Sequence, residues 1–107
     1  MQPDGVVLEQ IVRRIVEIEH PEKVIIFGSR ARGEAGRTSD LDILVLKESS
    51  EPRYRRSARL YQALADVPIT MDIVVYTPEE AREWSQVPQA FVTTALREGR
   101  VVYERHS

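Results

Sequence analysis

An apolar run, Val24-Ile25-Ile26-Phe27, ends in Gly28-Ser29, and a short basic segment, Arg30-Ala31-Arg32, closes on Gly33. A polar loop then leads into a second apolar run that carries Asp40 and Asp42 at positions i and i+2. Side chains at that spacing leave the same face of a β-strand, so both carboxylates would point toward whatever the Gly28-Ser29 turn holds. Glycine lets a ligand approach the backbone closely, and unsatisfied amides at the start of a following helix favour an anion. Ser29 adds a hydroxyl donor for a phosphate oxygen. Two convergent acids beside an amide-rich turn could seat a divalent metal and a phosphate chain, which is the equipment of phosphoryl or nucleotidyl transfer.

Alone, Gly-Ser after a strand is a common turn, and Asp40 after Ser39 could be an ordinary cap. Asp42 is harder to explain that way, because aspartate is depleted in strands and this one is flanked by Leu41, Ile43 and Leu44. A charge in such surroundings is costly unless it is paired, metal-bound or turned to water. An edge strand with a wet face, or an ion pair with Arg30 or Arg32, would also account for it. Met71-Asp72-Ile73-Val74-Val75 repeats the pattern of one acid inside a β-branched run. If that third strand lies beside the second, Asp72 joins the other two acids. Three carboxylates suit Mg²⁺ or Mn²⁺. Two such ions about 4 Å apart could clamp the attacking and leaving oxygens of a displacement at phosphorus. Asp72 could then also serve as general base for the attacking hydroxyl.

The elements that must position these residues follow from the hydrophobic pattern. Val7, Leu8, Ile11, Val12, Ile15 and Ile18 recur at helical spacing and predict a helix over Asp4 to Glu19, closed by His20-Pro21. Lys23 to Phe27 reads as a buried strand and Ser29 to Glu34 as a brief helical turn. Asp40 to Leu46 reads as a second strand, with Leu41, Ile43 and Val45 on one face and Asp40, Asp42, Leu44 and Leu46 on the other. A helix is expected from Pro52 to Ala65, with Ala58, Leu60, Tyr61 and Leu64 inward. A third strand is expected over Ile69 to Tyr76. Thr77-Pro78-Glu79-Glu80 carries a capping-box start. A further helix is expected from about Pro88 to Glu98, stopped by Gly99, before a short extended tail at Val101-Val102-Tyr103. This order gives an α/β (α+β) class, a small sheet flanked by helices.

At 107 residues, 42% hydrophobic and 30% charged, the chain reads as one globular domain, 1–107. A formal charge of −2 argues against broad nucleic-acid binding, though not against a local basic patch. The absence of cysteine removes disulfides, zinc-thiolate sites and thiol catalysis. No run approaches the ~18 apolar residues of a membrane span, and no signal peptide is evident, so a cytoplasmic location is the default.

The spacing Gly28-Ser29, ten intervening residues, then Asp40-Leu41-Asp42, with Asp72 on a later strand, resembles the nucleotidyltransferase superfamily that includes DNA polymerase β. The short length is similar to its minimal bacterial and archaeal members. The resemblance extends from the first helix to the Glu98-Gly99-Arg100-Val101-Val102-Tyr103 ending. It implies a mixed sheet of the polymerase palm type, two Mg²⁺ ions and transfer of a nucleoside monophosphate, usually AMP from ATP, to a hydroxyl with release of pyrophosphate. Gly28, Ser29, Arg30 and Gly33 would serve the triphosphate; Asp40, Asp42 and Asp72 would bind metal, with Asp72 as base. Minimal members often accompany a small helical HEPN-type partner as antitoxin and toxin, which implies a tyrosine of that partner as acceptor. A non-catalytic antitoxin that covers its partner is a second reading, with Phe91, Val92, Ala95 and Leu96 as interface. Transfer to a small molecule such as an aminoglycoside is a third, disfavoured because the chain holds no room for an acceptor-binding domain. The base transferred and the oligomeric state, including a homo-oligomer, stay open.

Other residues invite roles without deciding any. Arg30, Arg32 and Arg37 could neutralise triphosphate charge or be surface residues. Arg53, Arg55, Arg56 and Arg59 with Tyr54 and Tyr61 could bind RNA or an acidic partner, but a solvated helix face is the simpler reading. Trp84 and Phe91 read as core or interface packing. His20 reads as a helix terminus, and His106 receives no role.

Overall fold

A computed structural model describes residues 4–27, 41–84, 86, 95 and 97–105. The elements in chain order are α1 (Asp4–Glu19), β1 (Lys23–Phe27), β2 (Leu41–Leu46), α2 (Arg53–Arg56), α3 (Ala58–Ala63), β3 (Met71–Tyr76), α4 (Pro78–Trp84) and β4 (Arg100–Glu104). The four strands form one sheet in the order β3-β2-β1-β4. β2 and β3 run parallel, while β1 is antiparallel to both β2 and β4. This is the mixed sheet with helices that the sequence pattern and its resemblance predict.

Period-two alternation along the strands sends side chains to two layers. Val24, Ile26, Leu41, Ile43, Val45, Ile73 and Val75 pack with Ile11 and Ile15 of α1 and with Leu60 and Leu64. Ile25, Phe27, Leu44 and Leu46 pack on the opposite face with Ala81 of α4 and with Ala95. The periodic apolar stripe therefore makes α1 amphipathic for a reason: it caps the first layer. Its end is well marked. His20 adopts φ 48°, and its N–H donates to the Val16 carbonyl at 2.9 Å, a left-handed helix stop of a kind histidine tolerates better than most residues.

Three expectations need correction. The helix expected from Pro52 to Ala65 is divided at Ser57 into α2 and α3. The division coincides with Arg56 turning inward, where its guanidinium meets the Glu51 and Val75 carbonyls. Ala58 and Tyr61 are exposed rather than inward, whereas Leu60 and Leu64 are buried as expected. β3 begins at Met71 rather than Ile69, because the Ile69 N–H is taken by the Val67 carbonyl in a turn. Trp84 is 41% exposed, which sets aside the core alternative and leaves interface packing untouched. The extended tail at Val101 to Tyr103 proves to be part of β4, an edge strand on β1.

Gly99 has a packing reason. A Cβ there would collide with the Ala95 carbonyl oxygen and with Ile25 Cγ2, and would stand 3.0 Å from the Ile26 carbonyl oxygen. The chain thus passes from the Ala95 segment into β4 against the backbone of β1, with the Gly99 N–H donating to Ala95 at 2.8 Å. The helical turn at Ser29 to Glu34, Phe91, His106 and most of the helix from Pro88 to Glu98 lie outside the described residues.

Candidate active site

The register of β2 with the edge strand β3 brings two of the three acids together. In the parallel pair β2–β3, Asp42 stands opposite Asp72. On its other side Asp42 stands opposite Phe27, the last residue of β1, to which Gly28 is joined. One row across the sheet therefore runs Phe27, Asp42, Asp72. The register is held at this end by the Leu41 N–H donating to the Thr70 carbonyl at 3.0 Å. Neighbouring strands lie about 4.8 Å apart, and residues opposite one another in a parallel pair share a face, so the two carboxylates start from adjacent positions.

That face is the one bearing Leu44, Leu46, Val74 and Tyr76. Asp42 is half-buried and Asp72 exposed, so the pair sits where the apolar layer gives way to water. Two like charges directly opposite each other on adjacent strands repel. A hard divalent cation answers that repulsion, and carboxylate oxygens are the donors it prefers. The donor set present thus fits such an ion. Among the described residues no group of three or more His, Cys, Asp and Glu side chains converges. Asp40, the third candidate ligand, lies outside them, as do Gly28, Ser29, Arg30, Arg32, Gly33 and Arg37.

Two polar clusters that the sequence did not reveal lock the elements behind this pair. Arg56 is buried, and its guanidinium makes a two-pronged contact with Glu80, Nη1 to Oε1 at 2.7 Å and Nη2 to Oε2 at 3.2 Å. The same Arg56 Nη1 donates to the Val75 carbonyl of β3 at 3.2 Å. Glu80 completes the expected capping box: it accepts from the Thr77 N–H at 3.0 Å, and Thr77 Oγ1 accepts from the Glu80 N–H at 3.1 Å. The Arg56 guanidinium is the main cause that brings the Glu80 carboxyl down to about 2; partial burial opposes it and the Thr77 N–H assists. The second cluster centres on Glu19, at 3% exposure. It accepts from Lys47 Nζ at 2.7 Å and from Arg59 at 3.2 and 3.3 Å. Burial pushes the Glu19 carboxyl up, but the hydrogen bonds from Arg59 and Lys47 outweigh it and leave it below the usual range.

These contacts revise the reading of the basic run. Arg56 is a buried clasp, and Arg59 is tied to Glu19 and Glu51, so neither belongs to a free cationic face. Arg53 stacks on the Tyr76 ring at 4.8 Å and Arg55 over Tyr54 at 6.0 Å. The only local signal for the first clasp was the Thr77–Glu80 spacing; its arginine partner is 24 residues away.

Comparison with known proteins agrees with this architecture. The family model for the nucleotidyltransferase domain matches residues 8–102. Among solved structures, a candidate nucleotidyltransferase from Sulfolobus solfataricus superposes with a TM-score of 0.63 at 22% identity, covering 94% of this chain and 79% of that one. At that identity the likeness speaks for the fold. No curated protein matches the sequence significantly. With a family match spanning nearly the whole chain, a mixed sheet of the corresponding fold and two acids in register on its parallel strands, the chain belongs to the nucleotidyltransferase domain family.

Proposed function

We propose that this chain is a Mg²⁺-dependent nucleotidyltransferase that moves a nucleoside monophosphate, AMP from ATP, onto a hydroxyl. The acceptor in this reading is a tyrosine of a HEPN-type helical partner that the modification silences. The observation that supports it is the register of Asp42 with Asp72, in one row with Phe27, the residue that precedes Gly28 and Ser29 in the sequence. Asp40, Asp42 and Asp72 hold two divalent ions; Gly28, Ser29, Arg30 and Gly33 hold the triphosphate. When bound, such ions would supply charge neutralisation and Lewis-acid activation for the transfer.

In the chemical step the acceptor hydroxyl oxygen forms a bond to the α-phosphorus. The bond from that phosphorus to the oxygen bridging to the β-phosphate breaks, and pyrophosphate leaves. The hydroxyl proton passes to the Asp72 carboxylate, whose exposed position leaves it open to an incoming acceptor. Asp42 is half-buried beside the apolar layer, less open to the acceptor than Asp72. In this reading the reaction takes place in the cytoplasm. Among the described residues no helix is long and apolar enough to cross a membrane.

The test is transfer of label from α-labelled ATP, with Mg²⁺, to the product of the adjacent gene. The expected result is labelling of a tyrosine in that neighbour, lost in Asp42→Asn. Protection of cells by an Asp40/Asp42 double variant, without any labelling, would replace this reading with a binding antitoxin. Labelling of an aminoglycoside instead would move the acceptor to a small molecule.

A further inference from the structure

β3 is an edge strand, so half of its backbone groups face away from β2. The Leu41 N–H bonds to Thr70 and the Lys47 N–H to Tyr76, which fixes the parity: alternate residues from Thr70 through Asp72 to Tyr76 turn their backbone toward β2, and Ile73 and Val75 turn theirs outward. Both outward residues are met by side chains. The Tyr61 hydroxyl of α3 accepts from the Ile73 N–H at 2.7 Å, and Arg56 donates to the Val75 carbonyl at 3.2 Å. The Tyr61 hydroxyl also reaches the Ile73 carbonyl at 3.5 Å.

We infer that Tyr61 is a positioning residue for Asp72. The strand carrying Asp72 is held from one side by β2 and from the other, one residue along, by a phenol anchored on α3. Tyr61 is 43% exposed, so burial of its ring does not by itself account for a hydroxyl aimed at the strand edge. Without that hydroxyl, the outward backbone edge of β3 at Ile73 loses its hydrogen-bond partner, core packing of the Ile73 side chain remains, and the separation of Asp72 from Asp42 loosens. The consequence falls on cation binding at the acid pair before it falls on the fold. The inference rests on the reading of Asp72 as a metal ligand.

Tyr61→Phe removes the hydroxyl alone. In the full chain, amide exchange at Ile73 should accelerate about two- to tenfold relative to Ile25 and Ile26 of β1, whose exchange reports global stability. The Mn²⁺ dissociation constant, measured with a non-hydrolysable nucleoside triphosphate, should rise by a similar factor, with Tyr54→Phe as a control that changes neither. Faster exchange at all three amides with unchanged Mn²⁺ binding would mean a purely structural tyrosine and overturn the inference. So would unchanged exchange at Ile73. Asp72→Asn separates the underlying reading: if it binds Mn²⁺ as the parent does, the assignment of Asp72 fails, whereas a binding defect in Asp72→Asn with none in Tyr61→Phe refutes only the positioning role.

Discussion

Glu80→Gln isolates the charge in the clasp that joins α2, β3 and α4. Glutamine keeps an oxygen that can accept from the Thr77 N–H, so the capping box survives while the ionic contact with Arg56 is lost. The folded carboxyl lies at about 2 against an ordinary 4.5, a difference worth at most about 3 kcal/mol. The Glu80 side chain is 30% exposed, and screening by water reduces the expected contribution to about 1–2 kcal/mol. Because the folded value is depressed, the folded protein binds fewer protons than the unfolded chain between the two values. The contribution is complete above pH 4.5, falls as the pH drops toward 2, and is gone below it. Urea unfolding of parent and variant at pH 7 and at pH 2 measures this directly. A gap of about 1–2 kcal/mol at pH 7 that shrinks to a minor remainder at pH 2 is expected. Equal stability at pH 7, or a gap of the same size at pH 2, would refute the electrostatic account of the clasp.

Two further perturbations probe the frame behind the site. Lys47→Met removes one of the two cationic partners of the buried Glu19 and should cost about 1–3 kcal/mol in urea unfolding at pH 7, with the loss shrinking as Glu19 is protonated in acid. Gly99→Ala places a methyl group against the Ala95 carbonyl and Ile25, and should destabilise by about 1–3 kcal/mol while leaving α1 helicity unchanged by circular dichroism.

What was legible beforehand divides along physical lines. α1 and β1 fall where their patterns place them, because apolar periodicity and a Pro or Gly stop are local signals. The Thr77–Glu80 box was legible for the same reason, since both partners lie within one helical turn. The break at Ser57 was not, because it accompanies an inward arginine whose acceptors, Val75 and Glu80, sit on other elements. Edge closure by Tyr61 was hidden likewise: nothing near Tyr61 in sequence announces that its hydroxyl meets the Ile73 amide. The candidate site stands between these cases. Each strand acid was visible as an anomaly in an apolar run, but their meeting depends on β2 and β3 being parallel neighbours in one register, a tertiary fact. The remaining candidate site residues, Gly28, Ser29, Arg30, Gly33 and Asp40, are outside the described residues and are carried by the sequence motif alone.

The central claim is that Asp42 and Asp72 together hold the divalent ion of a nucleotidyltransferase site. Titration of Mn²⁺ into the parent, Asp42→Asn and Asp72→Asn, each with a non-hydrolysable nucleoside triphosphate present and each checked for an intact fold by circular dichroism, tests it most directly. The account predicts that either substitution weakens Mn²⁺ binding by on the order of tenfold or more, in line with removing a charged oxygen ligand. Folded variants that bind Mn²⁺ as tightly as the parent would contradict it.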